Sequence, residues 1–203
     1  MKAVALISDG IDSPVAAYMM LKKGVEVTLL NCGRHEKNLE KVKKQARLLS
    51  KFGKVSLLWV DFNIAWKEIS EKLERHYTCL FCKRFMYRVA EAVVKEEAAD
   101  FILTGENVGQ VASQTLQNIL VNNSAIKTLV VRPLIAMDKE DIIKIAKEIG
   151  TYDISILPAV ACQYVPHKPS TEARLEKIES EEKKIDISNL LRQILKTKKE
   201  IKY

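Results

Sequence analysis

The sequence predicts an α/β protein with a five-stranded, mainly parallel sheet, helices on both faces and a helical C-terminal tail. Three observations lead there. Five short apolar runs of strand length recur along the chain. Longer segments lie between them, with apolar residues repeating every three to four positions, as on one helix face. Glycines follow several of these elements as stop signals. Strands alternating with helices build parallel sheets whose strands are buried on both sides.

Taken in order, Ala3–Ile7 is the first strand, and Pro14–Leu21 reads as a helix with Ser13 as its N-cap and Pro14 at the first helical position. Gly24 stops that helix, and Val25–Leu30 is the second strand. A helix over Glu36–Phe52 carries Leu39, Val42, Ala46 and Leu49 on one side and ends at Gly53. Val55–Val60 is the third strand, and Asn63–His76 is helical. Tyr77–Cys82 breaks the rhythm and reads as irregular, before a helix over Lys83–Glu97. Asp100–Thr104 is the fourth strand, ending at Gly105. A helix over about Ala112–Val121, a strand at Thr128–Val131 and a helix from the Asp138 cap to Gly150 complete the alternation. From about Glu172 the composition turns Glu/Lys-rich, giving two further helices and a frayed basic end from Lys196. The expected division is therefore 1–171 for the main domain and 172–203 for a helical extension.

Between the first strand and helix stands Ser8-Asp9-Gly10-Ile11-Asp12-Ser13. A tight hydroxyl-, Gly- and Asp-rich loop leading into a helix N-terminus binds phosphate, because free N–H groups and the positive end of the helix dipole converge there. No Gly-Lys-Ser/Thr follows, so this is not the nucleotide-kinase loop. On these six residues alone, an ordinary strand-to-helix turn stays open. Ligands of open parallel sheets bind at the carboxyl ends of strands. That rule puts this loop, Asn31-Cys32-Gly33 and Thr104-Gly105-Glu106 on one rim.

The 203 residues suffice for one α/β domain with a sizeable core. No apolar run reaches the ~18 residues of a membrane span. The chain enters a strand at once, so no signal peptide and a cytoplasmic location are expected. A formal net charge of +7 favours a polyanionic partner, nucleic acid first among them. Cys32, Cys79, Cys82 and Cys162 include a Cys-x-x-Cys pair, which in such a compartment points to metal or redox chemistry before disulfide stapling.

Thr104-Gly105-Glu106-Asn107-Val108-Gly109-Gln110-Val111-Ala112-Ser113-Gln114-Thr115-Leu116 closely resembles the motif of the tRNA 4-thiouridine synthetases, the ThiI-type tRNA sulfurtransferases. Collinear pieces agree with it: Arg84-Phe85-Met86 with Arg88 and Ala90, Arg132-Pro133-Leu134-Ile135, Asp138-Lys139-Glu140, Ile149-Gly150-Thr151-Tyr152, Ser155-Ile156, and Cys162 before Pro166. The Ser8–Ser13 loop resembles the pyrophosphatase loop (PP-loop) Ser-Gly-Gly-x-Asp-Ser, with Asp9 where the pattern has Gly. The resemblance implies a PP-loop fold of the adenine nucleotide alpha-hydrolase type. It also implies an enzyme that uses ATP and Mg²⁺ to adenylate the C4 oxygen of a tRNA uridine, release pyrophosphate and install sulfur. Adenylation turns a poor oxygen leaving group into AMP, and the loop holds the departing anion. Asp12 is then expected as the catalytic or Mg²⁺-linked carboxylate and Cys162 as the catalytic thiol. Ser8, Asp9, Gly10, Ile11, Ser13, Leu30, Asn31, Gly105, Gln114 and Arg132 are expected about ATP and pyrophosphate. Gly105 would let backbone approach the nucleotide closely, Gln110 and Gln114 would share a helix face, and Arg132 suits either an anion or a salt bridge.

Larger family members carry an N-terminal RNA-binding region with a THUMP domain, and some a C-terminal rhodanese domain with a persulfide cysteine. This sequence shows neither, so tRNA is expected to be gripped by a homodimer or a separate RNA-binding protein, and sulfur to come from sulfide or a persulfide carrier. Rhodanese-lacking relatives resemble the layout of Cys79, Cys82 and Cys162, implying a [4Fe–4S] cluster with one iron open for sulfide. A Cys162 persulfide resolved by Cys79 or Cys82 is the second reading, and Cys32 reads as a small buried residue. Lys41 and Lys44 on the Glu36–Phe52 helix, with Arg84 and Arg88 beside the Cys pair, are expected to contact tRNA phosphates. Two alternatives stand beside tRNA thiolation: a related ligase or sulfurtransferase acting on a small molecule, and a nucleotide-binding module without turnover.

Overall fold

The computed structural model describes every residue except Arg34. Its first strand, β1 (Lys2–Leu6), sends Val4 to one side of the sheet and Ala3 and Ala5 to the other, all buried. The loop that follows leads into α1 (Asp12–Leu21), which starts at Asp12 with Ile11 in the capping position, so Ser13 is not the N-cap. β2 (Glu26–Gly33) runs past its apolar stretch because β3 (Val55–Asp61) pairs with it as far as Gly33↔Asp61. Between them lies α2 (Glu36–Leu49), burying Val42, Ala46 and Leu49.

After α3 (Asn63–Lys72) the chain makes a 3-10 turn at Arg75–Tyr77 and enters α4 (Thr78–Glu96). The expected irregular stretch at Tyr77–Cys82 is therefore helical from Thr78 onward. Leu80 and Phe81 bury in step with Phe85 and Val89, so the apolar face is continuous through the cysteines. β4 (Phe101–Leu103) and α5 (Leu116–Asn123) follow. The expected helix from Ala112 splits, with a 3-10 turn at Ala112–Gln114 and α5 capped by Thr115 Oγ1, which accepts from Asn118 N at 3.2 Å. β5 (Val130–Val131), α6 (Lys139–Glu148) and the short α7 (Tyr152–Ser155) complete this part.

Residues 172–203 form α8 (Leu175–Glu182), α9 (Ile187–Leu195) and a short β6 (Lys199–Glu200). The expected frayed end is instead a sixth strand, antiparallel to β3 and tied on by Ile201 N donating to Leu57 O at 2.8 Å and Tyr203 OH to Val55 O at 2.8 Å. The sheet thus has six strands rather than five, in the order β5-β4-β1-β2-β3-β6, parallel except at β6. One core lies between the sheet and α1, α2 and α6; the other holds α3, α4, α5, α8 and α9. Ile178, Leu190 and Ile194 of the extension share that second core with Phe81, Phe85 and Val89. Among the described residues, no helix is long and apolar enough to cross a membrane.

Candidate active site

From β1 the chain winds outward through β2 to β3 and then crosses back to β4 on the other side of β1, which makes the β1/β4 boundary the switch point of the sheet. Ligands of open α/β sheets bind in the crevice outside such a point. A cavity of about 510 Å³ opens there. Its wall holds all six residues from Ser8 to Ser13, together with Leu30, Asn31, Gly105, Gln114 and Cys162 of the expected set. Lys83, Glu106 and Cys32 also line it.

Local hydrogen bonds shape the loop. Ser13 Oγ accepts from Ser8 N at 2.9 Å and lies 3.1 Å from Ser8 Oγ, while Gly10 N donates to Ser8 Oγ at 3.3 Å. Ser13 thus closes the loop across its base from within the helix. Asn31 Nδ2 donates to Ile7 O at 2.9 Å, fixing the end of β1 to β2. From behind, Gln45 Nε2 donates to Gly10 O at 3.2 Å and Ser155 Oγ lies 3.1 Å from the same oxygen.

Gly105, in the cavity wall, is also required for backbone packing. A Cβ there would fall 2.6 Å from Ser13 N and 2.7 Å from Asp12 C, so the turn after β4 sits against the first turn of α1. The next residue, Glu106, is buried and collects donors: its Oε2 accepts from Arg132 Nε at 2.8 Å, from Thr104 Oγ1 at 3.1 Å and from Tyr87 OH. Burial opposes ionisation of Glu106, but Lys83, Arg132 and the Tyr87 hydrogen bond together hold its carboxyl below the usual range. Burial, joined by the Glu106 carboxylate, pushes the Tyr87 phenol up. Arg132 also donates to Tyr87 OH at 2.8 Å and Asn123 Oδ1 at 2.6 Å, and lies outside the cavity wall. The salt bridge, rather than the anion site, is where Arg132 is engaged. Glu106 Oε1 has no hydrogen-bond partner and faces Lys83 Nζ at 3.5 Å.

Asp12, in the first turn of α1, pairs with Lys139 in the first turn of α6. Lys139 Nζ also donates to Gln110 Oε1 at 3.3 Å. Gln110 precedes the 3-10 turn, so it does not share a helix face with Gln114, whose Oε1 accepts from Asn107 N at 3.3 Å. Sequence reasoning assigned no role to Lys139 or Glu106, although both stood in its motifs. Their partners are too far along the chain for spacing to reveal.

Cys162 lies in the cavity wall, whereas Cys79 and Cys82 do not, and Cys82 is buried in the second core. Cys79 sits close enough to Cys162 to feel its charge: burial first and Cys162 second push the Cys79 thiol up, with Lys83 opposing. Cys32 is partly accessible at the cavity wall rather than fully buried, yet its apolar surroundings push the thiol up to about 12 against the pull of Lys83. Among the described residues, no three His, Cys, Asp or Glu side chains come together in a group that could hold a metal ion. The three thiols therefore do not form the cradle that a [4Fe–4S] cluster needs.

Three of the four expected phosphate contacts are engaged inside the fold. Arg84 is 1 % exposed; it donates to Glu182 through Nε at 2.8 Å and Nη2 at 2.9 Å, and to Val121 O and Ser124 Oγ. Arg88 donates to both Glu182 oxygens at 2.8 and 2.7 Å. Burial opposes ionisation of Glu182, but the two guanidinium groups hold its carboxyl down at about 2. Lys41 is buried against the phosphate loop. Lys44 alone of the four is exposed.

The family model described as ThiI, thiamine biosynthesis protein, matches residues 1–187. This chain belongs to the ThiI family. A probable tRNA sulfurtransferase from Methanocaldococcus jannaschii is 44% identical over 191 residues, covering 92% of this chain and 50% of the relative. One from Alkaliphilus metalliredigens is 41% identical over 197 residues, covering 94% and 50%. Among solved structures, a 4-thiouridine synthetase–RNA complex with bound ATP superposes with a TM-score of 0.94 at 35% identity, covering 98% of this chain and 54% of that one. The present chain spans about half the length of the ThiI relatives it matches.

Proposed function

We propose that this ThiI-family chain carries out ATP-dependent tRNA thiolation, adenylating the C4 oxygen of a uridine, releasing pyrophosphate and replacing the oxygen with sulfur to give 4-thiouridine. The observation that carries the reading is the Ser8–Ser13 loop opening into the switch-point cavity, in a chain so closely superposable on an ATP-bound 4-thiouridine synthetase. The loop's N–H groups and the α1 N-terminus receive the polyphosphate. Lys83 in the cavity wall and Lys139 paired with the wall residue Asp12 add positive charge, which the departing pyrophosphate needs. Asp12 offers a hard oxygen donor of the kind Mg²⁺ takes in ones and twos, and the ion would neutralise polyphosphate charge there.

The sulfur step follows the cysteine geometry. Cys162 in the cavity wall with Cys79 nearby fits a persulfide route better than a cluster. A persulfide carrier loads Cys162; the terminal sulfur bonds to C4 as AMP leaves. The Cys79 thiol then attacks Cys162 Sγ, which frees the thiolated base and leaves a Cys79–Cys162 disulfide for an external thiol to reduce. In this reading tRNA is the acceptor and the reaction takes place in the cytoplasm. Assaying the half-reactions separately tests the scheme. Cys162→Ala should keep tRNA-dependent pyrophosphate release while losing 4-thiouridine formation. Release that needs a small-molecule acceptor and ignores tRNA would refute it.

A further inference from the structure

Lys41 is an unusual lysine. It lies on α2 yet is almost fully buried, and its Nζ donates to Ser155 O at 3.0 Å and Leu157 O at 2.8 Å. The third group about it is Asp9, whose Oδ2 is 3.5 Å away. A buried ammonium held only by neutral carbonyls is costly, and a carboxylate beside it offsets that cost. Asp9 in turn occupies the position where the pyrophosphatase pattern has Gly, inside a loop built to attract anions. Left alone, its charge would repel a polyphosphate.

We infer that Lys41 is the built-in counter-charge of Asp9: a positioning residue that turns the carboxylate of this loop away from the anion site and neutralises it there. The inference rests on the nucleotide reading of the cavity. Neighbouring contacts show why the pair holds its geometry. Asn38, Lys41 and Gln45 lie on one face of α2, at spacings of three and four. Gln45 holds Gly10 O and Ser155 Oγ, and Asn38 exchanges two hydrogen bonds with Val160, at 3.2 and 3.0 Å. One helix face thereby grips both the phosphate loop and the segment leading to Cys162, with Lys41 and Gln45 each touching both. A Gly at position 9 would need no such partner. The Asp9–Lys41 pair is thus a local alternative to the Gly that keeps the loop electrically open to phosphate.

Opposite effects from the two single substitutions are the signature of this arrangement. Removing only the positive charge with Lys41→Gln, which keeps a donor for the carbonyls, should weaken Mg-ATP binding measured by calorimetry by about tenfold, from one uncompensated charge near the polyphosphate. Asp9→Gly alone should tighten binding, because it leaves an unopposed ammonium behind the loop. The double variant should return to within about twofold of wild type, because the two opposite charge changes cancel. Melting temperature should follow a different pattern. It should fall in Lys41→Gln and stay low in the double variant, because the Ser155 and Leu157 carbonyls remain poorly served. Three results would overturn the inference: weaker ATP binding in Asp9→Gly, which would make Asp9 a metal ligand; unchanged binding in Lys41→Gln; or a double variant as weak as Lys41→Gln. If Lys41→Gln does not fold, the sign of the Asp9→Gly effect decides alone. Absence of ATP binding by the wild-type chain would instead overturn the nucleotide reading and this inference with it.

Discussion

Lys139, from the first turn of α6, forms an ion pair with the carboxylate of Asp12 in the first turn of α1, 127 residues away in sequence. Asp12 lines the cavity, so the pair places a cation beside the phosphate loop before any ligand arrives. Its exposure, 43% on the lysine side, means that solvent screens it and that it adds at most about 1 kcal/mol to stability.

Lys139→Met is therefore expected to leave the melting temperature nearly unchanged while slowing tRNA-dependent pyrophosphate release about 10²-fold, the size of effect seen when one transition-state charge partner is removed. Steady-state rates beside a thermal melt check this. Equal loss of stability and rate would assign Lys139 a structural role.

Gly105→Ala pushes a methyl group into the backbone of Ser13 and Asp12, with no flexible side chain to give way. We expect it to destabilise the fold by about 1–3 kcal/mol, as overpacking does, and to weaken ATP binding through displacement of α1. At Gly10, by contrast, a Cβ would meet only Ser8 Oγ at 3.4 Å. Gly10→Ala should keep the wild-type melting temperature. Urea titration of both variants makes the comparison.

The Glu182 carboxylate, held at about 2 against its ordinary 4.5, stabilises the docking of α8 on α4. A carboxyl whose folded pKa is depressed contributes fully above its unfolded value and loses that contribution as pH falls through the folded one. Stability should accordingly fall between about pH 4.5 and pH 2. Glu182→Gln should flatten that part of the pH profile. Arg84→Ala should cost about 3–5 kcal/mol at neutral pH, because it leaves a buried carboxylate short of its partner. Denaturant melts across pH report both.

Lys44 stands exposed on α2, while Arg84 and Arg88 are engaged with Glu182. Lys44→Ala is expected to weaken tRNA binding and lower the slope of log affinity against log salt by about one phosphate contact. Filter binding across a salt series measures it. An unchanged slope would remove Lys44 from the RNA surface.

The strands, the loop and the rim on which the cavity opens were legible because they depend on local pattern: apolar runs for β1 to β4, a hydroxyl- and Gly-rich turn before α1. Contacts set by tertiary structure were not. Nothing near Arg84 in sequence announces Glu182, 98 residues on, so its charge read as a surface group. β6 has the composition of a solvated tail and becomes a strand only because the edge of β3 offers it partners. The cysteine pair looked irregular because the break at Arg75–Tyr77 was placed too late; the apolar face of α4 begins at Leu80. Ser13 matched an N-cap by type, yet its hydroxyl closes the loop from inside the helix.

Nucleoside mass spectrometry of tRNA from cells lacking this chain, complemented with the wild-type gene or with Asp12→Asn, tests tRNA thiolation most directly. Loss of 4-thiouridine on deletion, its return with the wild-type gene and its continued absence with Asp12→Asn is the predicted result. A 4-thiouridine level that does not change on deletion would contradict it.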